Sequence, residues 1–75
     1  MDEETLKKLL KECSARVWWG EQQLKQRQEV VASLEQNGRD ARSAIDVLHR
    51  FEKAHAGEVA ELRRLEKGLA DLRRR

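Results

Sequence analysis

The chain has no proline and no tyrosine, one phenylalanine, two tryptophans and one cysteine. Without proline, nothing in it obliges a long helix to break or kink. A single cysteine rules out an internal disulfide, and a reducing cytoplasm is the expected compartment. No apolar run approaches the ~18 residues of a membrane span. The acidic N-terminal residues lack the basic, apolar and small-residue order of a secretory signal. No membrane contact is therefore expected. Neither sign of charge dominates: 16 basic residues against 14 acidic ones leave a net +2, which gives no broad field to gather nucleic acid. There is no glycine-rich phosphate loop, and no serine has a base and an orienting acid around it. The expectation is a protein that is not an enzyme and carries no cofactor.

What the chain has is charge and helical periodicity. Charged residues make up 40% of it, in the Ala, Glu, Lys, Leu and Arg mixture of long helices. Positions 6, 10, 13, 17, 20, 24, 27, 31 and 34 hold Leu6, Leu10, Cys13, Val17, Gly20, Leu24, Arg27, Val31 and Leu34. Their alternating steps of four and three fit a ~3.5-residue repeat. Leu9 and Val30 widen this stripe. The second half repeats the pattern with Ala41, Ala44, Leu48, Phe51, His55, Glu58, Leu62, Leu65, Leu69 and Leu72, widened by Ile45 and Val59. Between the halves stands Asn37-Gly38, a pair that tolerates the left-handed backbone ending a helix.

These features predict an all-α fold with one domain over residues 1–75. It is an antiparallel two-helix hairpin, coiled-coil-like, with a helix over about 3–36, a turn over 37–40 and a helix over about 41–73. Asp2 or Thr5 is the expected first cap and Asp40 the second. Each helix would run roughly 50 Å at 1.5 Å per residue, whereas an unbroken rod through Gly38 would run about 110 Å. Folding at Gly38 sets Leu24 against Phe51, Cys13 against Leu62, Gly20 against His55 and Gly57, and Asp2, Glu3 and Glu4 beside Arg73, Arg74 and Arg75. No pocket is expected between two such helices. A chain this short buries a thin core and gains from self-association, so the hairpin is expected to dimerise into a four-helix bundle.

Trp18 and Trp19 fall just past the seam residue Val17, on the solvated flank. Burying a large apolar side chain is worth ~1.5–3 kcal/mol, and tryptophan is enriched in binding hot spots. The ordinary alternative is a small helix rotation that folds one indole over its own neighbours. The preferred reading is a non-enzymatic protein–protein interaction module, a homodimer or a binder of another protein. Trp18 and Trp19 would lie at the contact, with Lys11, Arg16, Gln22 and Lys25 as its polar rim. A compact inhibitor or adaptor of the phage or mobile-element kind would use the same surface.

Two rival chemistries have weaker signals. Glu52-x-x-His55, with Glu21 opposite, has the carboxylate–imidazole spacing that two hairpins need for a di-metal bundle. The bland explanation is a core-edge histidine bonded to Glu58 or Glu21. Arg63, Arg64, Arg73, Arg74 and Arg75, with Lys67, would contact phosphates, but Glu61, Glu66 and Asp71 interleave them, as on an ordinary solvated helix face. Arg27, at a seam position, is expected to reach outward or to pair with Glu52. Cys13 has no histidine at its level and reads as a buried structural thiol.

Gly20-Glu21, Arg27-Gln28, Leu34-Glu35 with Gly38 and Asp40, then Ala44, Leu48 and Phe51-Glu52, make a GE…RQ…LE-x-x-G-x-D…A-x-x-L-x-x-FE pattern. Over roughly residues 16–69 the chain resembles a group of small bacterial proteins predicted to be helical hairpins, for which no activity is established. The resemblance implies the hairpin and no function. Members often carry histidine where this chain has Arg16 and Glu58, positions that meet across the hairpin. An opposite-charge pair here replaces a histidine pair, so any metal bound there by the group is not expected here. The double tryptophan departs from the small and acidic residues of the group.

Overall fold

The computed structural model describes residues 2–74. It contains helix α1, Glu3–Gln36, and helix α2, Arg42–Arg73, packed side by side. The Cα extents are 58 × 14 × 14 Å. These are the dimensions of a hairpin, and the unbroken rod is excluded.

Each end of α1 is closed by the residues the sequence marks. Asp2 is the N-cap, and its carboxylate accepts the Thr5 N–H at 2.7 Å. Those hydrogen bonds hold the Asp2 carboxyl below its ordinary pKa. At the other end Gly38 takes φ +66°, the left-handed conformation that a side chain resists. The Arg39 N–H reaches back to Leu34 O at 2.8 Å and the Gly38 N–H to Glu35 O at 3.1 Å, which is the Schellman arrangement. Asn37 keeps a negative φ of −89° and instead donates its carboxamide to Ser33 O.

The start of α2 differs by one residue from expectation. Ala41 occupies the N-cap position and brings no side-chain acceptor. Asp40, one place earlier, accepts the Arg42 N–H at 3.0 Å and holds the Arg42 guanidinium at 2.7 Å. The same bonds keep the Asp40 carboxyl below its usual range.

The core is small and sits toward the termini. Leu6, Cys13 and Leu65 are buried together, with Leu9, Leu10, Leu62, Leu69 and Leu72 packed around them. Cys13 is fully enclosed, and its thiol donates to Glu58 O at 3.7 Å. Across the ends, Arg73 meets Glu3 at 3.1 Å, as the charge match predicts. No helix among the described residues is long and apolar enough to cross a membrane.

Candidate docking surface

Val17 faces the seam and is buried, so the next two residues in an α-helix, each turned by about 100°, must straddle the outer side of α1. Trp18 stays 54% exposed and Trp19 61%. Their rings meet edge to face, with centroids 5.1 Å apart and planes at 80°, a favoured aromatic geometry. The rotation that would tuck one indole away has not occurred.

Trp19 leans over one of the two faces of the hairpin. There it lines a cleft of about 290 Å³ with Arg16, Gly20 and Gln23 of α1 and Phe51, Ala54, His55 and Glu58 of α2. Arg16 donates to the Glu58 carboxylate at 3.2 Å, the pairing across the hairpin that the register anticipates. That bond raises the Arg16 pKa further and removes the side chain from the free polar rim. Lys11 and Lys25 are exposed as expected, and Gln22 is half-buried.

Gly20 and His55 explain each other. A Cβ on Gly20 would lie 2.6 Å from His55 Cδ2, so the imidazole packs where only glycine leaves space. His55 does not bond to Glu58 or Glu21, because this packing carries its ring into the seam. Its Nε2 is buried with no hydrogen-bond partner among the described residues. Gly57 has open space around its α-carbon and so contributes nothing to this fit. Arg27 likewise does not pair with Glu52. Its guanidinium carbon lies 5.0 Å from the Phe51 ring centroid, a cation–π contact, and its Nε is buried without an acceptor.

Beyond Arg27 the same face continues. Arg27, Val30, Ser43, Ala44 and Val47 enclose a second cleft of about 160 Å³. Val30 is 45% exposed and also borders a shallow hollow with Gln26, Glu29, Ser33 and Leu34. On the opposite face, Leu10, Ser14, Leu62, Glu66, Leu69, Ala70 and Arg73 line another of about 370 Å³. Two helices alone therefore leave open hollows, contrary to the expectation of none. Sequence reasoning singled out the tryptophans and missed the Val30–Val47 cleft. The signal was present as a second stripe beside the seam, Trp19, Gln23, Arg27, Val30 and Leu34, again spaced by fours and a three.

The other candidates are dispersed. Glu21 and Glu52 are exposed while His55 turns inward, and among the described residues no three His, Cys, Asp or Glu side chains gather as a metal site. Arg63, Arg64, Arg73 and Arg74 are exposed, with Arg64 held by Glu61 at 2.7 Å and Arg73 by Glu3. Arg75 lies outside the described residues. Compared with family models, curated proteins and solved structures, the chain matches none.

Proposed function

We propose that this chain is a non-enzymatic interaction module that docks another helical surface through the Trp18–Trp19 region and the groove beside it. The observation that carries the proposal is the exposure of both indoles, 54% and 61%, in a chain whose buried core, among the described residues, contains nothing larger than leucine. Fully burying a large apolar side chain is worth ~1.5–3 kcal/mol, so each half-exposed ring forgoes roughly half of that, and a partner recovers it. Rigid aromatic anchors beside a partly charged rim are also the composition of binding hot spots. The free, enclosed Cys13 thiol fits action in the cytoplasm.

The test compares the wild type with a Trp18→Ala, Trp19→Ala double variant in sedimentation and in affinity capture, with circular dichroism as the folding control. A stoichiometric complex, with itself or with another protein, that the double variant loses is the expected result. A wild type that stays monomeric, captures nothing and keeps the red-shifted emission of wet indoles ends this reading.

A further inference from the structure

Among the described residues, the groove face holds two of the three exposed large apolar side chains, Trp19 and Val30, and a hollow beside each. A projecting ring and an apolar recess on one face are the requirements for an isologous contact, in which the same patch on two copies is complementary to itself. We propose that the occupant of this face is a second copy of the chain, packed antiparallel, with Trp19 of each copy filling the Val30–Ala44–Val47 cleft of the other. This rests on the reading of the Trp region as a contact surface and adds the partner and its orientation.

The levels along the hairpin agree. Trp19 and Val30 are about 16 Å apart along α1 at 1.5 Å per residue. A two-fold axis crossing the hairpin beside Leu24 exchanges them, so Val30 of each copy enters the hollow below Trp19 of the other. The same operation brings the Gln23 carboxamide of one copy to the level of the Arg27 guanidinium of the other, whose carbon lies over the Phe51 ring at 5.0 Å. The recess takes the six-membered part of the indole: an apolar cavity of about 150 Å³ admits a benzene ring, this cleft measures about 160 Å³, and its open side leaves the pyrrole edge at the rim.

Charge permits the pairing. Identical faces meet without repulsion only if each is nearly neutral. Here Arg16 is paired with Glu58 inside the larger cleft, Arg27 is the one unmatched charge among the described residues lining the two clefts, and Glu29 borders the neighbouring hollow. From Arg16 to Leu34 the face is about 27 Å long and two helices wide, on the order of 600 Å² per copy. Two such faces stand at the lower edge of specific interfaces, so the dimer is expected to be weak and concentration-dependent.

Sedimentation equilibrium from low micromolar to near-millimolar concentration, joined to small-angle scattering, tests this. A monomer–dimer equilibrium is expected, with tryptophan emission shifting to the blue as dimer forms. Trp19→Ala weakens it about tenfold or more. Val30→Lys, remote from the indoles and at an already exposed position, weakens it comparably. Ala70→Lys, on the opposite face, leaves it unchanged. Because the axis lies nearer the turn than the termini, the dimer is staggered and about 70 Å long at 1.5 Å per residue, against 58 Å for one hairpin. A dimer no longer than a single hairpin, or one indifferent to Val30→Lys, overturns the proposal. So does a monomer at every concentration. A monomer that nevertheless captures a different protein through the tryptophans leaves the broader interaction reading standing.

Discussion

The terminal half of the hairpin, residues 3–17 against 58–73, buries Leu6, Cys13, Val17 and Leu65; the turn half buries Ala41 and leaves Trp18, Trp19 and Val30 exposed. Both halves follow the same spacing of seam positions. They differ in what occupies those positions. Toward the termini the seam is mostly leucine, with Cys13 and Val17 enclosed among them, and the side chains are long enough to meet. Toward the turn small or polar residues, Gly20, Arg27, Ala44 and His55, interrupt the apolar ones, so the helices approach but do not seal. Among the described residues, the buried polar side-chain atoms without partners, Arg27 Nε and His55 Nε2, also lie in the turn half. One half is a small finished core. The other is more open and leaves large apolar side chains exposed.

The largest test of that contrast is truncation on each side of it. Leu65→Ala removes most of a buried side chain from the terminal cluster and is expected to cost about 2–5 kcal/mol, the range for cavity-forming substitutions. For a chain of this size that is enough to lose the cooperative transition near body temperature. Val47→Ala, on the open groove, is expected to change stability by less than about 1 kcal/mol. Urea unfolding at a concentration low enough to exclude association measures both. Equal losses would mean that the turn half is as well packed as the termini.

The two mid-hairpin glycines give a difference of sign. At Gly20 an added methyl group meets the His55 ring at 2.6 Å, and overpacking of this kind costs about 1–3 kcal/mol. Helix propensity returns at most about 1 kcal/mol, so Gly20→Ala is expected to destabilise. Gly57→Ala has free space and is expected to stabilise by about 0.5–1 kcal/mol. His55→Leu belongs to the same series. It removes Nε2, a buried group with no acceptor or donor opposite it, and a stabilisation of about 1 kcal/mol is expected. Thermal melts of the three single variants, read against the wild type, decide the signs. A Gly20→Ala protein more stable than the wild type would show that the imidazole does not need the space.

Much of this arrangement was legible in the chain itself. The repeat of apolar positions and the Asn37-Gly38 break suffice for the hairpin, its register and the Arg16–Glu58 and Glu3–Arg73 pairs, because two long helices joined by so short a turn have one way to lie together. Gly20 and His55 are adjacent by the same arithmetic. What spacing does not carry is rotamer choice. Whether His55 bonds outward to Glu58 or packs inward on Gly20 depends on which desolvation is cheaper, and the pattern is the same in both cases. Arg27 presents the same ambiguity: Glu52 offers charge, Phe51 offers a flat face, and the structure places the guanidinium on the ring. The Val30 cleft escaped because it comes from residues that are small or flanking. A hollow is made by missing atoms, which a search for prominent residues passes over.

The smallest effects lie at the caps, one in each half. Asp2 closes α1 at the termini and Asp40 holds the start of α2 at the turn, and hydrogen bonds lower the pKa of both carboxyls in the folded chain. A group whose folded pKa is depressed contributes its full stabilisation above the unfolded value and loses it as the pH falls through the folded value. The hairpin should therefore melt progressively lower as the solution is acidified through and below the ordinary carboxylate range. Asp2→Asn keeps an oxygen for the Thr5 N–H and loses only the charge. Its melting temperature near neutrality is expected to fall slightly, with a shallower acid limb than the wild type. Asp40→Asn gives up the ion pair with Arg42 as well, yet among the described residues the only buried side chain beside it is the small Ala41, so fraying there disturbs little buried surface. Its effect on global unfolding is expected to be the smaller of the two. A reversal of that order, measured by melting curves across the acid range, would place the cooperative core beside the turn and not at the termini.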